Sequence, residues 1–216
     1  MDNDNDLRSA VLAEMDWDPS VTSAHIGVTA YGGVVTLTGH TETYPEKHAA
    51  EQAATRVKGV KGIASEIEVR LPVETRRSDE DIAAAVLDRM AWDVSIPKDA
   101  VMVRVERGWV TLTGQVDYYF QKSASETDIR HLMGVAGVSN HVTIKPQVSV
   151  GDISDGIMHA LHRSWFFDPS TIRVSAAGGH VTLSGTARTF HDKQVAAATA
   201  WAAPGVTAVK NDLAVL

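Results

Sequence analysis

The side chains best able to do chemistry in this sequence are lysines, histidines and aromatic residues, and they lie scattered along the chain. The chain has no cysteine, which excludes thiolate nucleophiles, disulfides and cysteine-ligated metal centres. His159 and His162 stand three apart in a predicted helix, but no third ligand completes a metal motif. The nucleophile elbow, the P-loop, the zinc-protease helix and the dinucleotide-binding glycine pattern are also missing. We therefore predict a protein with no catalytic residues, no cofactor and no metal.

Charge and composition limit the classes of partner that this protein can bind. The chain carries 20 Lys and Arg against 27 Asp and Glu, a formal net charge of −7. This acidic balance argues against nucleic acid, which requires clustered basic residues. No apolar run approaches the ~18–20 residues that span a bilayer, and the acidic start lacks the pattern of a secretory signal. We expect a cytoplasmic protein, peripheral at the inner membrane face if its partner is lipid.

Three copies of one pattern run along the chain. The sequence Val-Thr-Leu-Thr-Gly at 35–39 returns at 110–114 and, with one serine, at 181–185. An aromatic–Asp pair upstream and a Gly-Val pair downstream repeat as well. The pairs begin at Trp17, Trp92 and Phe167, and at Gly59, Gly134 and Gly205. Such self-similarity predicts tandem modules, which we place at 1–77, 78–148 and 149–216.

The local patterns predict the elements that position these residues. Each copy opens with apolar residues at helical spacing, such as Ile82, Val86 and Met90. A short strand, a glycine turn and the Val-Thr-Leu-Thr-Gly strand then form a hairpin. A second helix and an alternating strand close the unit. The fold class is α+β, with three tandem α-β-β-α-β modules, each carrying two helices on one face of a three-stranded mixed sheet.

The closing strand carries a family resemblance. Residues 134–144 and 205–215 share a Gly-Val start and an asparagine, Asn140 or Asn211, whereas the first copy has Ser65-Glu66 there. With the amphipathic helix and the glycine-ended strand, this pattern resembles the BON domain, named for bacterial osmotically inducible and nodulation proteins. The resemblance implies non-enzymatic roles in phospholipid association, osmotic or envelope stress, chaperone-like action and pore or secretin assemblies.

Two sets of residues recur in one register. Gly39, Gly114 and Gly185 end the second strand of each copy, where we predict a structural role in positive φ or close backbone approach; a ligand contact is the alternative. The lysines near the start of each second helix suggest an anion site. The alternative is solvated side chains, paired with a glutamate four residues later in the first two copies but facing Ala197 in the third. These lysines are Lys47, Lys122 and Lys193.

Aromatic residues supply the other candidate contacts. Trp109, with Met102 and Arg104, lies on the predicted outer face of the middle sheet, which either packs on a neighbouring copy or binds an external ligand. Tyr118 and Phe120 are predicted to be exposed and able to contact a membrane or a partner.

Two further groups of aromatic residues are predicted to pack inside the protein. Tyr119 is assigned to the core by its aromatic register, which Tyr44 and Phe190 share. Trp17, Trp92 and Phe167 are expected to pack in the core or at helix ends, and Trp165 to be buried.

The sequence favours a binding protein over an enzyme. A polybasic run that would drive adsorption to anionic lipid is missing, so membrane association would need apolar insertion or specific headgroup contacts. Our main hypothesis is a non-enzymatic binding or scaffold protein of stress physiology whose partner is a phospholipid membrane or another protein. The alternative is an intracellular protein–protein module or chaperone-like holdase.

Overall fold

The computed structural model describes residues 2–146, 153–163 and 171–216, and these form three modules of one design. Module 1 contains α1 (Asp2–Trp17), β1 (Ile26–Tyr31), β2 (Val34–Thr41), α2 (Tyr44–Arg56) and β3 (Gly62–Val69). Module 2 contains α3 (Asp79–Trp92), β4 (Val101–Glu106), β5 (Trp109–Val116), α4 (Tyr119–Arg130), β6 (Gly137–Asn140) and β7 (Thr143–Ile144). Module 3 contains α5 (Ile153–Arg163), β8 (Ile172–Ala177), β9 (His180–Ala187), α6 (Phe190–Trp201) and β10 (Ala208–Val215).

Each sheet places the Val-Thr-Leu strand in the middle. In module 1 the order is β1-β2-β3, with β1 antiparallel and β3 parallel to β2. Module 3 repeats this arrangement as β8-β9-β10. In module 2 the third strand is split into β6 and β7, both of which pair with β5. The mixed α-β-β-α-β fold predicted from the sequence is confirmed.

Turn and cap residues explain where the elements begin. Each hairpin turns through two residues of positive φ, which are Gly32 and Gly33 in module 1 but Arg107 and Gly108 in module 2. Such turns match the right-handed twist of the strands. Helix α2 begins after Thr43, whose hydroxyl accepts the backbone N–H of Glu46 at 3.3 Å.

Each module has its own hydrophobic core under the helix-covered sheet face. The inward residues of the central strands are fully buried, as alternation along a strand requires. They are Val35 and Leu37, Val110 and Leu112, and Val181 and Leu183. Helices α1, α3 and α5 contribute Val11 and Met15, Ile82 and Val86, and Ile157 and Leu161.

The modules meet through their second helices. Tyr44 of α2 packs against the core of module 2, and so does Trp201 at the end of α6. The Tyr119 ring of α4 stacks on Trp201 with ring centroids 4.7 Å apart. Helices α2 and α6 are also in contact, so each second helix touches the other two. The end of module 3 returns to module 1, because Leu216 lines a cleft beside Gly32 and Gly33.

This arrangement decides against one of the two alternatives for the outer face of the middle sheet, which is packing on a neighbouring copy. The outer face of the middle sheet is open, with Trp109 46% and Met102 66% exposed. Two predicted packing residues, Trp165 and Phe167, lie outside the described residues.

Candidate functional site

The strand-ending glycines stand where no side chain fits. Gly39, Gly114 and Gly185 have φ of 115°, 137° and 120°. A Cβ atom built on each would lie 2.1, 2.1 and 1.9 Å from a backbone carbonyl oxygen of the loop before the first strand. Positive φ and this close approach explain glycine without any ligand.

Lys47, Lys122 and Lys193 are half-buried, and the first of them contacts a strand. The Nζ of Lys47 donates to the carbonyl oxygen of Ile67 in β3 at 2.9 Å. Burial lowers the pKa of Lys122, and nearby Glu126 opposes that shift. Within the described residues, neither Lys47 nor Lys122 forms the ion pair with the glutamate four residues later. The geometry links at least Lys47 to its own sheet.

The asparagine that modules 2 and 3 share in the third strand forms hydrogen bonds to the second helix. The Nδ2 of Asn140 donates to the backbone carbonyl of Lys122 at 2.8 Å, and Asn211 does the same to Lys193 at 2.7 Å. Their Oδ1 atoms accept backbone N–H groups two residues later, at 3.2 and 3.3 Å. Module 1 has Ser65 in this register, and there the Lys47 amine ties helix to strand.

The predicted aromatic patch on module 2 is partly assembled. The Trp109 ring crosses Gly137, where a Cβ atom would lie 2.4 Å from it, and its Nε1 donates to Ser139 at 2.9 Å. Met102 is exposed on the adjacent strand. Arg104 is paired with Glu106 at 2.8 Å, so the patch has a neutralised basic edge.

Tyr118 and Phe120 are exposed, at 42% and 56%, and their rings stack with centroids 5.7 Å apart. Tyr119 between them is half-buried and faces module 3 through Trp201. The prediction that Tyr119 belongs to a core is therefore refined, because its partner comes from another module.

The prediction that Trp17 and Trp92 pack at helix ends is wrong. They are 85% and 86% exposed, and Val94 after the second of them is fully exposed. Both indoles follow the last buried methionine of their helix, Met15 or Met90, by two residues, and two positions along a helix turn a side chain to a different face. That spacing was available in the sequence and identifies them as outward-facing.

Ordered loops follow these tryptophans. Asp18 accepts the backbone N–H of Ser20 at 3.1 Å and its hydroxyl at 2.6 Å. Asp93 accepts the same groups of Ser95 at 2.7 and 2.6 Å. These hydrogen bonds lower the pKa of both carboxyl groups, which stay charged beside the indoles at neutral pH.

A polar cluster lies where α2 meets α4. Burial lowers the pKa of His48, and the nearby charge of Arg130 lowers it further, while Glu51 and Glu126 oppose the shift. Burial raises the pKa of Tyr44. Arg130 pairs with Glu126 at 3.2 Å but keeps a buried Nε without a protein partner. The cluster joins two modules and holds no arrangement of nucleophile and base.

Arginines converge on a cleft of about 470 Å³ between modules 1 and 2, a feature that sequence reasoning missed. The cleft is lined by the end of β3, by the linker and by the β4–β5 turn, and it contains Arg70, Arg76, Arg77 and Arg107. Adjacent Arg76 and Arg77 were visible in the sequence, but the contribution of Arg107 depends on how the modules dock.

Residues 2–146, 153–163 and 171–216 contain neither a metal-binding cluster nor a membrane-spanning helix. In these ranges no group of three or more His, Asp or Glu side chains is placed to hold a metal ion. Among the same residues, no helix has the length and apolarity needed to cross a bilayer. His159 and His162 are both exposed on α5.

Known proteins resemble this chain in sequence and, weakly, in structure. The family model of the BON domain matches residues 3–70, 78–146 and 149–216. Osmotically-inducible protein Y of Escherichia coli (strain K12) is 26% identical over 147 residues, which cover 66% of this chain and 73% of that protein.

Two solved structures come from CdsD, a structural protein of the Type III secretion system of Chlamydia trachomatis. They are 17% and 16% identical to this chain, cover 98% of it and align over 92% and 98% of their own lengths. Each TM-score is 0.27, too low to support an argument.

Proposed function

Because the chain belongs to the BON domain family, with three tandem copies, we propose that it is a non-enzymatic binding protein of osmotic or envelope stress that associates with phospholipid membranes through Trp17 and Trp92. Its similarity to Osmotically-inducible protein Y supports the stress role. Neither the family name nor the name of that relative denotes an enzyme.

The observation that carries the membrane proposal is the matched exposure of two tryptophans. Trp17 ends α1 and Trp92 ends α3, in the same register of two modules, and each is more than four-fifths exposed. Tryptophan is enriched at membrane–water interfaces, where its ring meets the acyl chains and its N–H the headgroups. Because burial of apolar surface is favourable, covering a water-exposed indole with a bilayer lowers the free energy of the system.

The charges beside the indoles limit which lipids favour this contact. Asp16 and Asp18 flank Trp17, and Asp93 follows Trp92. The lowered pKa values of Asp18 and Asp93 keep both carboxylates ionised at neutral pH. We therefore expect shallow insertion at the headgroup level, without assistance from anionic lipid at these two sites.

Co-sedimentation with phosphatidylcholine vesicles tests the proposal. We expect the protein to pellet with neutral vesicles, with a blue shift of tryptophan fluorescence, and the double variant Trp17→Ala/Trp92→Ala to lose both effects. Trp109→Ala is the matched control, because that indole is held against its own sheet. A protein that stays in solution with neutral vesicles, or a double variant that binds as the parent does, would contradict the proposal.

A second candidate function is protein binding or holdase action, favoured by the open outer face of module 2. Trp109 and Met102 offer apolar area there, and Tyr118 and Phe120 offer more at the start of α4. On this alternative, stoichiometric protein suppresses the aggregation of an unfolding client, and Trp109→Ala with Tyr118→Ala weakens the suppression. Unchanged suppression in that variant would argue against these surfaces.

A further inference from the structure

The cleft between modules 1 and 2 concentrates positive charge in an acidic protein. Four arginines and two carboxylates line it, although the whole chain carries −7. Of the carboxylates, Glu68 is engaged by Arg70 at 2.8 Å. Asp79 accepts the backbone N–H groups of Arg107 and Gly108, both at 2.8 Å. Three arginines therefore remain without a carboxylate partner within the described residues.

Backbone contacts orient two of these arginines. The Nε of Arg76 donates to the carbonyl oxygen of Leu71 at 3.0 Å. The Nη1 of Arg77 donates to the carbonyl oxygens of Glu74 and Arg76, at 2.9 and 2.7 Å. These bonds fix the guanidinium groups but leave their charge uncompensated, and each group keeps further N–H donors.

The third arginine stands at a position that favours glycine. Arg107 occupies the hairpin turn with φ of 53°, whereas the equivalent positions in the other modules are Gly32 and Gly178, with φ of 58° and 57°. A residue with a side chain is disfavoured in this conformation. Of the three hairpin turns, only that of module 2 has a side chain at this position, and this side chain, Arg107, lines the cleft.

From this convergence we infer that the cleft is a binding site for a phosphate group, carried by a free phosphate or by a lipid headgroup. Three guanidinium groups supply paired N–H donors that match the oxygens of a phosphate. Their combined charge suits a dianion such as a phosphomonoester better than a single carboxylate. The site is separate from Trp17 and Trp92, so it goes beyond the proposed membrane contact and can bind when that contact does not.

Titration calorimetry with inorganic phosphate at constant ionic strength tests the site on the full chain. We expect saturable binding that falls about tenfold or more for each arginine removed, as lost charge-assisted hydrogen bonds predict. The variants are Arg76→Gln, Arg77→Gln and Arg107→Gly, the last relieving the turn while removing the charge. Arg76→Lys/Arg77→Lys, which keeps charge but loses the paired donors, should fall between parent and glutamine variants.

Arg173→Gln is the matched control, because Arg173 is exposed in module 3 and has no ion pair with any described residue. Thermal unfolding of every variant verifies that the fold is kept. No saturable phosphate binding, or an equal loss in Arg173→Gln, would overturn the inference.

Vesicles separate the two sources of phosphate. Phosphatidic acid in phosphatidylcholine should recruit the Trp17→Ala/Trp92→Ala protein if the ligand is a lipid headgroup, and free phosphate should compete. Binding of free phosphate without this recruitment assigns a soluble ligand. Failure on neutral vesicles contradicts the tryptophan proposal alone, whereas failure to bind phosphate in both forms contradicts the cleft alone.

Discussion

At the residue scale, the repeated glycines and asparagines prove to be structural, Trp17 and Trp92 are repeated and exposed, and Arg107 departs from the repeat. A Cβ atom on the glycine that ends each central strand would lie 1.9 to 2.1 Å from a backbone carbonyl oxygen, and Asn140 and Asn211 hydrogen-bond the last strand to the second helix. By contrast, Arg107 replaces a glycine in one module only. Repetition at a buried or crowded position thus marks what the fold needs, and the departure at Arg107 marks where module 2 acquires a side chain of its own.

The strand-ending glycine provides the sharpest residue-scale prediction. Gly39→Ala should destabilise module 1 by at least about 2 kcal/mol, because it combines positive φ with a Cβ 2.1 Å from the His25 carbonyl oxygen. Gly32→Ala is the matched control, since its φ is also positive but nothing lies within 4 Å of the added Cβ; we expect about 1–2 kcal/mol. Urea unfolding measures both, and equal losses would show that crowding at Gly39 is unimportant.

At the element scale, the sequence predicted the helices and strands of each module well, but it did not predict which elements form the contacts between modules. Alternation and helical spacing identified the inward faces, as at Val35 and Leu37. The same reasoning misplaced Trp17 because it used register without asking which helix face the register occupies. It also left open that the outer face of the middle sheet packs on a neighbouring copy, whereas second helices form the contacts. Docking depends on side chains from separate modules, such as Tyr119 and Trp201, which no pattern within one module can pair.

The Tyr119–Trp201 stack provides the element-scale prediction. Because Trp201 also packs in the core of module 3, Trp201→Ala removes both that packing and the stack on Tyr119. A double-mutant cycle with Tyr119→Ala isolates the free energy of the stack. We expect a coupling free energy of about 0.5–1.5 kcal/mol. A cycle of Trp201→Ala with Tyr31→Ala, whose ring is 85% exposed, should give none. Equal coupling in both cycles would contradict a specific contact between modules 2 and 3.

At the scale of the whole molecule, the modules touch over little area. The accessible surface is 12237 Å². A compact monomer of this mass would expose about 9,700 Å² and three separate modules about 13,000 Å². The observed value lies close to the second figure, and each module keeps its own buried core. Stability is therefore mainly a property of each module.

Calorimetry tests this modular stability. We expect heat unfolding to depart from two-state behaviour, with a van't Hoff enthalpy well below the calorimetric enthalpy. Leu183→Ala, at a fully buried site of module 3, should remove about 2–5 kcal/mol and move one component of the transition while the others stay. A single transition that shifts as a whole would show that the modules unfold together.

The contacts among second helices also determine the order in which aromatic rings become buried during synthesis. Every strand pair that the described residues form lies within one module, so module 1 contains the partners of its sheet once residue 69 has left the ribosome. Its Tyr44, however, packs on a core that is made later, and Tyr119 waits in turn for Trp201. The nascent chain thus exposes first the Tyr44 ring and then the Tyr119 ring to water, and each ring is covered when the next module emerges and folds.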